Sequence, residues 1–135
     1  IFYRESYKIR KEMEDEILIS FSLRNIGYIL SKQGRLSESI QMIEEALEID
    51  VKYYGKSTIE TTSSINSLGL TYSNIGKYEK AIKYYKELLK IYERTYKNNH
   101  FNIAITKYNI GSCYIDIMQY EKANTYLYEL PIHVP

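Results

Sequence analysis

Residues Asn66–Tyr85 read NSLGLTYSNIGKYEKAIKYY, and the segment poses a question at its fourth position. Ile65, Leu68, Tyr72 and Ile75 fall at i, i+3, i+7 and i+10, the spacing of one face of a helix. Gly69 stands in the middle of that helix, where glycine costs roughly 1 kcal/mol relative to alanine. The glycine recurs: Gly27, Gly69 and Gly111 are separated by 69 − 27 = 42 and 111 − 69 = 42 residues. A glycine repeated in register needs a packing reason, namely close approach of a partner helix.

The register extends well beyond the glycine. Gly34 aligns with Gly76, Tyr72 with Tyr114, Ile75 with Ile117, and the YEKA at Tyr78–Ala81 returns at Tyr120–Ala123. Ile40 matches Ile82, Leu47 matches Leu89, and Ile49 matches Ile91. Ala81, Tyr85, Leu88 and Tyr92 form a second helical face in the middle unit, and Gly76 between the two faces suits a left-handed helix C-terminus. Each unit is therefore a helical hairpin. Helices are expected at about 2–14, 18–33, 36–54, 59–75, 78–97, 101–117 and 120–130.

The units divide the chain into a partial preceding repeat (1–16, its second helix), repeat 1 (17–58), repeat 2 (59–100), a truncated repeat 3 (101–130) and a tail (131–135). These form a single all-α solenoid, read as a fragment of a longer protein. Composition agrees, because 135 residues with two prolines, six glycines, 16 tyrosines and no tryptophan suit a thin, two-layer helical architecture. Lys+Arg 18 against Asp+Glu 17 gives no global electrostatic reason to invoke nucleic acid or a membrane. No run approaches the roughly 18 apolar residues of a membrane span. Cys113 has no companion for a disulfide or a metal cluster, and a cytoplasmic (intracellular) setting is the expectation.

The repeated residues resemble the tetratricopeptide repeat in its 42-residue form, as in kinesin light chains. The resemblance covers nearly the whole chain. Repeat 2 supplies Ile65, Leu68, Gly69, Tyr72, Gly76, Tyr78, Ala81 and Tyr85, close to a complete match to the family pattern. Repeat 1 has Ser39 where alanine is expected, and repeat 3 puts Lys107 at the large apolar position and Met118 at the turn glycine.

The resemblance implies a right-handed α-solenoid of antiparallel helix hairpins, without enzymatic activity or cofactor. It would bind an extended peptide or a partner helix on a concave groove lined by the first helix of each unit. Carried over position by position, the groove would present Arg24, Asn25, Tyr28, Ser31 and Lys32 in repeat 1. Repeat 2 would contribute Asn66, Ser67, Leu70, Ser73 and Asn74, and repeat 3 Tyr108, Asn109, Ser112, Ile115 and Asp116. Asn25 and Asn109 stand out, since an amide both donates to and accepts from a peptide backbone. Beside this scaffold reading stands a peptide-sensing regulatory domain of a larger bacterial regulator or effector.

Other features are expected to be structural. Lys77, Lys80, Lys83, Lys86, Lys90 and Arg94 read as a solvated outer face rather than a nucleic-acid patch, with no base-stacking module beside them. Cys113 reads as core packing, and GKST at Gly55–Thr58 lacks the upstream glycine of a phosphate loop. His100 and His133 have no metal-site spacing around them. Pro131 is expected to cut the last helix short, leaving Leu127 and Leu130 uncovered and the C-terminal end open to self-association.

Overall fold

The computed structural model describes residues 2–97 and 100–128, with side chains from residue 4 onward. Among the described residues six helices follow one another: α1 (Phe2–Lys32), α2 (Leu36–Tyr54), α3 (Thr62–Asn74), entered through a 3₁₀ turn at Ile59–Thr61, α4 (Tyr78–Thr95), α5 (Phe101–Asp116) and α6 (Tyr120–Leu127). They pair as the hairpins α1–α2, α3–α4 and α5–α6, and the hairpins stack in order through α2 against α3 and α4 against α5. The architecture is the expected all-α solenoid.

The three hairpin turns sit 42 residues apart, and each closes with the same two bonds. The Gly34 amide donates to the Ser31 carbonyl and the Arg35 amide to the Leu30 carbonyl, a Schellman arrangement. Gly76 with Lys77 and Met118 with Gln119 repeat it. The residue at the bend has φ +80° at Gly34 and Gly76 and +62° at Met118, so the third turn forms against the preference of its side chain.

The central glycines do bring helices together. A Cβ on Gly69 would stand 2.7 Å from Cε1 of Tyr85, whose ring is fully buried. One on Gly27 or Gly111 would meet Ile43 or Leu127 as closely, and these partners share one register position on the second helices. The propensity lost at the glycine is thus offset by contact with a large side chain. Around these contacts a continuous core runs from Ile43 through Leu68 and Leu88 to Ile110 and Ala123. Ser39 departs from the family's alanine for a visible reason: its buried hydroxyl donates to the Gly27 carbonyl at 2.6 Å.

One expectation is corrected. Separate helices at 2–14 and 18–33 were expected, but α1 runs unbroken for 31 residues. The physical reason lies in Glu14–Asp15–Glu16–Ile17, which holds neither glycine nor proline and none of the chemistry of a turn. Residues 1–16 were assigned to a preceding repeat, yet residues 2–16 continue the first helix of the first hairpin. The 19 residues of α2 reach back only as far as Glu16, whose carboxylate meets Lys52 Nζ at 3.1 Å, and residues 4–15 project beyond it exposed. The helices expected to end at 97 and 117 end at Thr95 and Asp116. The last described helix ends at Leu127, and Leu130, Pro131, His133 and the 131–135 tail lie outside the described residues.

Candidate functional site

Between α1 and α3 lies a hollow of about 230 Å³. Gly27 exposes its floor, formed by Ile43 and Thr71, because no side chain stands there to fill it. Tyr28, Ser31 and Lys32 line one side from α1, and Ser67, Leu70 and Asn74 line the other from α3. The spacing of each trio keeps it on one face of its helix, so the two first helices confront each other with matched rows. Six of the expected groove residues therefore share one concavity.

The chemistry of the hollow is mixed in a usable way. Tyr28 and Leu70 are large, apolar and exposed, while Ser31, Ser67, Asn74 and Lys32 supply hydroxyl, amide and ammonium groups at its edge. The Lys32 ammonium lies 5.3 Å from the Tyr28 ring centroid, a cation–π contact that holds positive charge at the rim. Thr71 offers less, since its hydroxyl already donates to the Ser67 carbonyl at 2.8 Å. An apolar side chain would fit such a floor, with polar groups placed around it.

The remaining expected residues are distributed elsewhere. Arg24 turns into the protein, where its guanidinium pairs with Asp50 of α2 at 3.0 Å and with the Ser20 hydroxyl at 3.0 Å. Asp50 also accepts from Ser20 at 2.6 Å and from Ser64 of α3 at 3.0 Å, so this buried acid ties three helices together. Asn25 is exposed and Asn66 half-buried, and neither lines the hollow. Ser73 faces α5, its hydroxyl 3.8 Å from the Cys113 sulfur. On α5, Tyr108, Ile115 and Asp116 are exposed and Asn109 and Ser112 half-buried, all apart from the hollow. Sequence reasoning missed Ile43 and Thr71 as its floor; Gly27 was the available signal, but it pointed first to packing.

An aromatic pair between the two helices of a hairpin is repeated. Tyr72 stacks on Tyr84 at 5.7 Å, and 42 residues later Tyr114 stacks on Tyr126 at 5.9 Å. Lys80 lies 5.3 Å from the Tyr72 ring and Lys86 5.5 Å from that of Tyr114, so two of the outer lysines sit over aromatic faces. The Tyr72 hydroxyl donates to Glu44 of α2 at 3.2 Å. Burial, followed by the Glu44 charge, pushes its phenol up to about 12. Burial also pushes the Cys113 thiol up, which keeps it protonated and suits the core role read from sequence. His100 caps α5, accepting from the Asn102 amide at 3.1 Å while stacked on Tyr96. Among the described residues no group of three His, Cys, Asp or Glu could hold a metal ion, and no helix is long and apolar enough to cross a membrane.

Comparison with known proteins agrees with this architecture. The family model described as Tetratricopeptide repeat matches residues 18–94 and 60–130. No curated protein matches the sequence significantly. Among solved structures the chain is similar to BtubC (BKLC) from P. vanneervenii, with a TM-score of 0.76 and 21% identity over 93% of this chain and 51% of that one. It is also similar to the TPR domain of Arabidopsis FLU, with a TM-score of 0.69 and 22% identity over 84% and 90% of the two chains. The kinesin-light-chain TPR-like repeats of Podosopora anserina give a TM-score of 0.70 and 17% identity over 79% of this chain and 50% of theirs. At these identities the likeness bears on the fold, and this chain spans about half the length of BtubC.

Proposed function

The chain belongs to the tetratricopeptide repeat family, a fold that supports protein–protein interaction, and from that membership we propose that its concave side holds an extended peptide or a partner helix. The observation that carries the reading is the hollow between α1 and α3, where an apolar floor is ringed by hydrogen-bonding groups. A peptide is suited to it because one apolar side chain fills the floor while Asn74, Ser31 and Ser67 remain free to meet backbone amides and carbonyls. Lys32 at the rim favours a carboxylate beside that anchor.

The test is a peptide-library selection against the protein, with enriched sequences measured by fluorescence anisotropy. Tyr28→Ala/Leu70→Ala should weaken binding at least tenfold, and Lys32→Ala should weaken acidic peptides selectively, both with unchanged helicity. Asn25→Ala/Asn109→Ala in parallel asks whether the groove extends past the hollow. Failure of any peptide to enrich, or binding indifferent to Tyr28 and Leu70, would overturn the proposal.

A further inference from the structure

The last residues of α1, α3 and α5 are Lys32, Asn74 and Asp116, each 42 residues after the one before and so at one position of the repeat. Lys32 and Asn74 both line the hollow, which sets this position on the groove side of the first helices. Asp116 holds it one first helix further along and is exposed, as Lys32 is. Charge along the row thus runs from positive through neutral to negative. The rows beside it carry none: Tyr28, Leu70 and Ser112 form one, and Ser31, Ser73 and Ile115 the other. Arg24, the one other charged residue expected in the groove, is already paired with Asp50.

Helix stability accounts for one of these poles and not for the other. Both stand at a helix C-terminus, whose partial negative charge favours a lysine and disfavours an aspartate. Asp116 therefore sits where its own helix gains nothing from it, and its charge adds to that of the helix end. The two steps along the row also differ in their floor. Between α1 and α3 the floor is open to an apolar side chain. Between α3 and α5, Ser73 and Cys113 take the places of Ser31 and Thr71, and they meet there, Oγ to Sγ at 3.8 Å. An apolar anchor thus belongs beside Lys32 rather than beside Asp116.

We propose that the groove selects an extended peptide of opposed charge, with an acidic residue and its apolar neighbour at Lys32 and the hollow and a basic residue at Asp116. This polarity rests on the reading that the groove holds a peptide, and it fixes which way round the peptide lies, since complementary charges set register more than they add affinity. Axes of packed helices lie about 8–10 Å apart, so two steps span roughly 20 Å. An extended chain advancing about 3.3 Å per residue covers that in about six residues, which is the separation expected between the acid and the base.

The probes are four fluorescein-labelled peptides of one composition, titrated against the protein by anisotropy. One places Asp beside Leu with Lys about six residues from the Asp, a second exchanges the Asp and the Lys, and the other two are these sequences reversed. In the better chain direction, the peptide with Asp beside Leu is expected to bind at least fivefold more tightly than its exchanged counterpart, and added salt should narrow the gap. Asp116→Lys should weaken it severalfold, and Lys32→Glu/Asp116→Lys should reverse the preference. Both positions are exposed, so circular dichroism is expected to stay constant. Binding that depends on Tyr28 and Leu70 but shows no preference, or a preference unmoved by Asp116→Lys, overturns the polarity and leaves the groove standing. So does failure of all four peptides while library-selected peptides bind through Tyr28 and Leu70. Failure of the library peptides as well overturns the groove, and the polarity with it.

Discussion

Arg24 of α1 and Asp50 of α2 form an ion pair at 3.0 Å in which the acid is nearly sealed from solvent and the base is not. The carboxylate also accepts from the Ser20 and Ser64 hydroxyls, so donors from two neighbouring helices meet on one side chain. Removing that side chain takes the acid from the Arg24 guanidinium and the Ser64 hydroxyl at once, while the Ser20 hydroxyl keeps the Ala46 carbonyl at 3.1 Å and the Arg24 guanidinium at 3.0 Å. Asp50→Ala is expected to cost about 3–5 kcal/mol in urea unfolding. Arg24→Ala should cost less, since its side chain retains some access to water and the serines still bond the acid. Equal costs would show that the pair, rather than the acid as a hub, is what matters.

Met118 holds the left-handed turn position that Gly34 and Gly76 hold in the other hairpins, and its side chain is exposed. Met118→Gly relieves a backbone strain of about 1–2 kcal/mol while surrendering little contact, although the added freedom of glycine when unfolded returns part of the gain. A net stabilisation of about 0.5–1 kcal/mol is expected, read as a rise in melting temperature. The reverse change, Gly76→Met, should destabilise by a similar or larger amount.

The phenol of Tyr72 ionises near 10 in an unfolded chain and at about 12 in this fold. Below pH 10 both states keep the proton, and the site's full contribution to stability is present. Between pH 10 and 12 the unfolded chain ionises first, so stability falls as pH rises, by roughly 2–3 kcal/mol for two units. Urea unfolding at pH 8, 10 and 11 should show this decline, and Tyr72→Phe should flatten it. Tyr84, Tyr85 and Tyr92 are also pushed upward by burial, so the variant's profile will slope less without becoming level.

Much of this fold is legible in local spacing. The 42-residue register announces the hairpins because each needs the same three devices: a glycine opposite a large side chain, a left-handed bend, and an apolar stripe on both helices. Gly69 and Tyr85 could be paired on paper, since both recur in phase. The break expected near residue 15 came from extending that phase backward, although Glu14–Ile17 carries no stop signal. Arg24 was read as a groove residue because its helical position allows it. Nothing near it in sequence reveals Asp50, 26 residues away, which claims its charge. The hollow was half legible: its rim follows from helix periodicity, whereas its floor depends on the contact between α1 and α2.

The glycine contacts have a kinetic consequence. Gly27 with Ile43, Gly69 with Tyr85 and Gly111 with Leu127 each join residues 16 apart (43 − 27, 85 − 69, 127 − 111), so each hairpin can close without waiting for the rest of the chain. Short loops close at little entropic cost, and topologies rich in such contacts fold quickly. Asp50 works on a longer scale, reaching back 30 residues to Ser20 and forward 14 to Ser64. Assembly can therefore begin in any hairpin, while a single buried carboxylate bonds the first two to each other.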